Sequence, residues 1–168
     1  MTTDFIALLA NLALALSFIV GLIFGIAQVR TAARDRRERL SLEALQHFQT
    51  RDFAELIQYV NSHEMPASRE KLSKLPVNEQ VIFMQFAQEM ETLGILVAER
   101  FISLDLVDKM LGSFISGSWE KYKPMMVSAR TSIPDPFLGE YFQWLAERVD
   151  ARLREHPRKP FYQSGQTV

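Results

Sequence analysis

The sequence of 168 residues contains no cysteine. This absence excludes a disulfide framework, a zinc or iron–sulfur site with cysteine ligands, and a cysteine nucleophile. An excess of charge of one sign is also missing, since 19 Lys and Arg residues balance 20 Asp and Glu residues. Nucleic-acid-binding domains are usually strongly basic, so we expect no nucleic-acid partner.

The familiar signatures of catalysis are absent as well. The chain has neither G-x-x-x-x-G-K-[ST] nor G-x-G-x-x-G, and FISGSW lacks the final glycine of a nucleophile elbow. The three histidines, His47, His63 and His156, are far apart in the sequence. Glu43 and His47 are four residues apart on a predicted helix, but two ligands without a third are typical of a surface pair rather than a metal site. We therefore predict no enzymatic activity, no metal and no cofactor.

The sequence does contain one long apolar run. From Phe5 to Val29 the chain reads FIALLANLALALSFIVGLIFGIAQV, with no charged residue, and about 20 apolar residues suffice to cross a bilayer core. A cleaved signal peptide would have basic residues before a shorter apolar stretch, whereas the residues before this run are MTTD. The run predicts a retained transmembrane helix over residues 5–29.

Arginine residues crowd the C-terminal side of this run, and no Lys or Arg precedes it. They are Arg30, Arg34, Arg36, Arg37 and Arg39. Because basic flanks stay on the cytoplasmic side, we expect residues 1–4 outside and everything after Val29 in the cytoplasm. The cluster could also contact anionic lipid head groups, although Asp35 and Glu38 dilute its charge and topology alone accounts for it.

Small residues recur at every fourth position of the predicted span. They are Ala13, Ser17, Gly21 and Gly25, and the last two form the G-x-x-x-G motif GLIFG. Residues four apart share a helix face, so this face is a groove that another helix backbone can approach closely. The alternative is that small residues are simply common in membrane helices. We predict a helix–helix partner in the bilayer, either a second copy or another membrane protein.

Beyond the span, apolar residues recur at helical spacing and no stretch alternates with the period of a strand. The predicted fold class is therefore all-α, with an N-terminal single transmembrane helix followed by a cytoplasmic bundle of about five helices. The predicted organisation is an external N-terminus (1–4), the transmembrane helix (5–29), a juxtamembrane helical region (30–62), a linker (63–77), the helical bundle (78–156) and a flexible tail (157–168).

Local signals predict where individual helices begin and end. The Thr50–Asp52 segment supplies capping residues for a second helix, and Ser103 can cap the helix that follows a long apolar one over 78–101. Gly117-Ser118 predicts a bend. Pro124 removes a backbone hydrogen bond, so it predicts a kink or a new helix start at that point.

An unusual group of residues follows this bend. Trp119, Glu120, Pro124 and Arg130 lie within a short segment, and a tryptophan beside a carboxylate can bind a cation or a small ligand. The alternative is structural: Trp119 packs in the core, Glu120 pairs with a base such as Arg130 or caps a helix, and Pro124 sets a kink. We retain the four residues as a possible structural or ligand cluster.

The segment ETLGILVAERFISLDLVDKMLGSFISGSWEKYKP, followed by Arg130 and YFQWLAERV, resembles a family of uncharacterised bacterial proteins defined by a domain of unknown function. HFQTRDFAELIQYV is similar to the first cytoplasmic motif of that family. The resemblance covers the chain from about Glu43 to Val149. It implies an all-α fold with one N-terminal membrane helix in a bacterial membrane, and hence an inner-membrane location. It implies no activity.

Two classes of function remain open. The first is a single-pass membrane-anchored helical interaction module, such as a scaffold, regulator or accessory subunit of a membrane assembly. The second is a membrane-tethered sensor or effector whose helical domain binds a small ligand. A filled core with an exposed apolar patch would favour the first class, and a large apolar pocket lined by polar groups would favour the second.

Overall fold

A computed structural model describes residues 2–132, 135–157 and 159–163 of the chain. These residues contain helices and no strand, so the all-α prediction is confirmed. The chain divides into two compact units, the first ending at Leu45 and the second beginning at Gln46. The helices are α1 (Thr2–His47), α2 (Arg51–Ser62), α3 (Arg69–Leu72), α4 (Val77–Ala98), α5 (Leu104–Ser132) and α6 (Glu140–Glu155), and a 3-10 turn covers Phe161–Gln163.

The long helix α1 holds the predicted transmembrane segment. Every side chain from 11–29 is exposed, including bulky apolar ones such as Phe18 and Phe24. By length and composition α1 is able to cross a membrane, and α4 passes the same test. An apolar helix at the N-terminus is thus present, while its insertion into a bilayer stays a prediction.

The second unit encloses a filled core. Helix α6 packs against both α4 and α5, α2 packs against α4, and the short α3 lies against α5. Each helix contributes the apolar residues of its inward-facing side. Because these residues recur once per helical turn, they produce the helical spacing seen in the sequence. The side chains buried most completely in this core are those of Val60, Phe83, Phe86, Met90, Leu93, Ile102, Val107, Ile115, Tyr122, Phe142, Leu145 and Val149.

Aromatic rings from three helices meet at the centre of this core. The ring of Phe86 on α4 lies 5.4 Å from that of Tyr122 on α5 and 6.2 Å from that of Phe142 on α6, centroid to centroid. The phenol of Tyr122 donates a hydrogen bond of 3.0 Å to the carbonyl oxygen of Phe83. Burial raises the pKa of Tyr122 above its ordinary value, because the apolar surroundings disfavour the phenolate.

Helices α4 and α6 are in close contact at a glycine. A Cβ atom placed on Gly94 would lie 2.7 Å from the carbonyl carbon of Tyr141. That distance is too short for a side chain, and the opposing atoms belong to the backbone and cannot rotate away. Gly94 is therefore required by the helix crossing and not by its own backbone conformation.

Several helix starts have identifiable caps. The hydroxyl of Thr50 accepts a hydrogen bond from the amide of Phe53, and that of Ser103 accepts one from the amide of Leu106. Both caps agree with the sequence prediction. Helix α6 instead follows Gly139, which has a φ of 68° and offers no side chain. The carboxylate of Glu91, on α4, accepts from the first two amides after Glu140 at 3.2 and 2.8 Å.

Two predicted helix boundaries were wrong. Helix α4 ends at Ala98 rather than at residue 101, because Arg100 adopts a left-handed φ of 60°. The bend at Gly117-Ser118 and a helix start at Pro124 are absent, since α5 runs without interruption from Leu104 to Ser132. Ser118 is buried in the core, and burial of this side of α5 sustains the helix despite the exposed glycine beside it.

Candidate functional site

The predicted transmembrane packing face lies on the surface of α1. Ala13, Ser17, Gly21 and Gly25 are exposed and follow one another at intervals of four residues. No heavy atom lies within 4 Å of a Cβ placed on Gly21 or on Gly25. The face is therefore open to another helix.

The predicted basic cluster is also on the surface of α1. Arg30, Arg34, Arg36 and Arg39 are exposed, and the side chain of Arg37 lies outside the described residues. The guanidinium of Arg39 donates a hydrogen bond of 2.8 Å to the carboxylate of Glu43, four residues later. This hydrogen bond and the charge of Glu43 raise the pKa of Arg39. Part of the cluster's charge is thus balanced within the same helix.

The Trp119, Glu120, Pro124 and Arg130 group does not converge on one point. Trp119 is buried and its ring lies 5.2 Å from that of Phe142, while Glu120 is exposed and lies nearest to Lys123 at 3.8 Å. Pro124 lies inside α5.

Arg130 serves a different contact from the one considered for it. Its guanidinium donates to the carbonyl oxygen of Leu138 at 2.8 Å and to the amide oxygen of Gln143 at 2.7 Å. It thereby fastens the segment before α6 to the end of α5. Trp119 thus packs in the core, and Arg130 holds the segment before α6 in place.

The histidines occupy separate positions. His47 Nε2 lies 2.8 Å from Glu89 Oε2 on α4, and the ring of His63 stacks on that of Tyr59 at a centroid distance of 3.9 Å. Within the described parts of the chain, no group of three or more histidine or acidic side chains is placed to hold a metal ion.

A groove in the second unit is lined by four methionines, and we call it the methionine groove. Its volume is about 430 Å³. Met125 and Met126 form a buried part of its wall, whereas Met84 on its edge has an exposed fraction of 55%. The complete lining is Met65, Arg69, Leu72, Ser73, Gln80, Phe83, Met84, Ala87, Gln88, Met125, Met126, Ala129 and Leu138.

A polar cavity of about 480 Å³ adjoins the methionine groove, and we call it the serine pocket. It is lined by Ser68, Arg69, Glu70, Ser73, Ser128 and Ser132. Arg69 and Ser73 line both cavities. An apolar cavity and a polar cavity therefore share one edge, at the residues of α3 and its C-terminal end.

No pattern in the sequence pointed to either cavity. Their residues come from the 65–73 segment, from α4, from α5 and, with Leu138, from the segment before α6, so no local motif contains them. The adjacent pair Met125-Met126 was the nearest available signal, because methionine is often used on adaptable binding surfaces.

Residues 15–149 match the domain of unknown function DUF4760. The chain belongs to this family. The match confirms the predicted resemblance and extends it toward the N-terminus, since it includes residues 15–29 of the apolar run as well as the second unit through Val149. DUF4760 carries no assigned activity. No curated protein and no solved structure matches the chain.

Proposed function

We propose that this DUF4760 protein is a single-pass membrane-anchored helical interaction module. The observation that carries the proposal is the complete exposure of the apolar side chains of 11–29 in α1. Soluble proteins rarely leave a continuous apolar surface of this size in water. A bilayer covers such a helix on all sides, and the helix satisfies its own backbone hydrogen bonds, as a membrane span requires.

The proposed topology places the N-terminus outside and the second unit in the cytoplasm of a bacterial inner membrane. It is supported by the exposed arginines that follow Val29 and by the lack of basic residues before Phe5. In this arrangement the helical unit is available to cytoplasmic partners and to the cytoplasmic ends of other membrane proteins.

Two surfaces support a role in interaction. The first is the small-residue face of α1, with nothing within 4 Å of Gly21 or Gly25. The second is a stripe on α4 formed by Val77, Val81 and Met84, whose exposed fractions are 74%, 53% and 55%. These positions share one side of α4, so the stripe is continuous.

A second candidate function is a membrane-tethered sensor that binds a small ligand. The methionine groove is the observation in its favour, because its volume of about 430 Å³ lies within the range of small-molecule sites, about 300–1,000 Å³. The two candidates differ in what occupies the second unit, a protein or a small molecule.

The first experiment tests membrane insertion by extracting membranes with alkaline carbonate. We expect the full chain to remain in the membrane pellet. Combining Leu14→Arg with Phe18→Arg should release it, since each charge costs about 2.5–3.5 kcal/mol at the centre of a span. The control Leu42→Arg changes an exposed residue beyond the apolar run and should leave the chain in the pellet. Recovery of the unaltered chain in the supernatant would contradict the proposal.

The second experiment tests topology with a reporter that is active only outside the cytoplasm, fused after Val168. We expect no activity in the native chain. Activity should rise when Arg30, Arg34, Arg36, Arg37 and Arg39 are all replaced by glutamine, because the orientation signal is then lost. An active reporter on the native chain would mean the opposite topology.

The third experiment tests association through α1 in a transmembrane reporter assay. Gly21→Ile or Gly25→Ile should abolish the dimer signal, because the added side chain holds the two backbones apart while hydrophobicity is retained. The control Leu22→Ile lies off this face and should keep the signal. Equal signals from all variants would mean that the small residues have no role in pairing, and no signal from the native span would exclude the homodimer.

The fourth experiment tests the α4 stripe by affinity purification of the full chain from mild detergent. Val81→Lys should remove the proteins that co-purify with the native chain, because an exposed apolar contact is replaced by a charge. Val127→Lys, at an equally exposed position on α5, should retain them. An identical set of co-purifying proteins from all three chains would show that the stripe does not bind them.

A further inference from the structure

The methionine groove and the serine pocket meet along one edge and differ in chemistry. The groove is lined mainly by methionine, leucine, phenylalanine and alanine side chains, with Arg69, Ser73, Gln80 and Gln88 as its polar members, whereas the pocket is lined by four serines, Arg69 and Glu70. A single molecule that occupied both would need an apolar part and a polar part. This is the definition of an amphiphile.

Arg69 is the cation at the junction of the two cavities. Among the described residues it makes no ion pair, whereas the neighbouring Glu70 is neutralised by Lys74 at 2.6 Å. The junction therefore carries one positive charge, on the guanidinium of Arg69, that no carboxylate among the described residues balances. A guanidinium binds a carboxylate through two parallel hydrogen bonds.

Serine hydroxyls beside Arg69 can add donors to such a head group. The Ser68 oxygen accepts a hydrogen bond of 3.2 Å from the amide of Lys71, which leaves its own O–H group free to donate. Ser132 donates instead to the carbonyl oxygens of Ser128 and Ala129, and Ser73 donates to that of Glu70. These two hydroxyls are already used within their own segments.

The size of the groove is that of a small-molecule site. Its volume of about 430 Å³ lies within the range of about 300–1,000 Å³ that small-molecule sites cover. Helix-in-groove recognition instead uses a longer row of anchors, at i, i+3, i+4 and i+7 of the bound helix.

We propose that the two cavities bind a long-chain fatty acid, with its carboxylate on Arg69 and its hydrocarbon chain in the methionine groove. A head group with one negative charge fits a single unbalanced guanidinium beside Glu70 better than a doubly charged phosphate does. Unbranched methionine side chains adapt readily to a flexible chain. The inference rests on the membrane attachment proposed above, since the bilayer is the source of the amphiphile.

The test uses the full chain in nanodiscs of zwitterionic phosphatidylcholine and a palmitate analogue with a diazirine in the middle of its chain. After irradiation, mass spectrometry locates the adduct. We expect adducts on peptides that contain Met84 or Met125-Met126. Unlabelled palmitate should compete for this labelling, and hexadecanol, which has the same chain without the charge, should not.

Two substitutions at exposed positions are each paired with a control. Arg69→Gln should raise the probe concentration needed for half-maximal labelling by about tenfold, the effect of losing a charge-assisted pair, whereas Arg51→Gln on α2 should not change it. Met84→Glu should abolish labelling of the groove, and Val127→Glu, at the same degree of exposure on another face, should leave it intact.

Three results would overturn the fatty-acid site. They are adducts confined to α1, equal competition by palmitate and hexadecanol, and cross-linking of the groove to a protein with no fatty-acid adduct. Failure of the membrane proposal would give a different result. The chain would then not enter nanodiscs at all, while the probe would still label the groove in solution.

Discussion

Helices α1 and α4 both resemble membrane spans in sequence, but they differ in how much of their apolar surface is buried within the protein. Both are long and apolar enough to cross a bilayer, but none of the apolar window of α1 is buried, while 33% of the corresponding window of α4 is. The apolar residues of α4 face α2 and α6 and form the centre of the core. Hydropathy counts apolar residues, and only the neighbours of a helix tell whether protein or lipid covers them.

The same contrast appears at the glycines of the two helices. Gly21 and Gly25 of α1 have nothing within 4 Å, whereas Gly94 of α4 is in contact with the backbone of Tyr141. Glycine in α1 offers space to a partner outside the chain. Glycine in α4 is already used by a partner within the chain.

The largest effect should come from exchanging a phenylalanine for alanine in each helix. Phe86→Ala in α4 should destabilise the second unit by about 3–5 kcal/mol, because it leaves a cavity among buried rings. Phe18→Ala in α1 should not change this stability, since Phe18 contacts no core. Urea unfolding of the full chain in nanodiscs measures both, and the fluorescence of Trp119 and Trp144 reports on the second unit alone. Equal shifts for the two variants would contradict the division into units.

A smaller effect is expected at glycine positions within the second unit. Gly94→Ala should destabilise it by about 1–3 kcal/mol, because the methyl group collides with the backbone of α6. Gly117→Ala should stabilise it by about 0.5–1 kcal/mol, since its Cβ position is open and alanine favours a helix. The pair is measured by the same urea unfolding. A stabilising Gly94→Ala would show that the two helices can separate at this point.

Glu91→Gln should cost the second unit about 1 kcal/mol. The amide oxygen can still accept a hydrogen bond, but the negative charge at the N-terminus of α6 is lost. Glu64→Gln, at an exposed position outside any helix, is the control and should have no effect. The midpoint of urea unfolding at neutral pH is the readout, and equal midpoints for the two variants would mean that Glu91 does not support α6.

Tyr122→Phe should have a similarly small effect at neutral pH, about 1 kcal/mol for one buried hydrogen bond. It should also change the alkaline behaviour. Because burial raises the pKa of Tyr122 in the folded state, the unfolded chain loses this proton above about pH 10 while the folded chain keeps it. Stability therefore falls as pH rises above that value.

The variant should show a shallower alkaline loss of stability between pH 9 and 11 (about one unit either side of the ordinary tyrosine pKa). Some loss should remain, because burial and the neighbouring Glu79 carboxylate also raise the pKa of Tyr59. Identical slopes for the native chain and for Tyr122→Phe would show that the phenol ionises without unfolding. The apolar run of α1 has no tyrosine and cannot contribute.

Local signals in the sequence predicted local structure well. Thr50 and Ser103 cap helices as expected, because a capping hydroxyl and its amide are only three residues apart. The bend expected at Gly117-Ser118 was wrong for the opposite reason. Ser118 becomes buried when the helices pack, and no property of the dipeptide reveals that burial.

Contacts between distant parts of the sequence were not predictable. Glu91 caps a helix that begins about 50 residues later, and Arg130 fastens Leu138 and Gln143 across the turn before α6. The candidate ligand site draws on the 65–73 segment, α4, α5 and Leu138 before α6. No spacing rule joins residues that become neighbours only when helices pack.

The sequence by itself determined the all-α class, the apolar run with its arginine flank, and membership of DUF4760, because periodicity, hydropathy and family similarity are properties of the order of residues. The tertiary structure alone decided that α4 is a core helix, that Gly94 is a crossing point, and that methionines from separate segments line one groove. These features depend on which surfaces of the helices meet, and that is settled by packing of the whole unit rather than by any one segment.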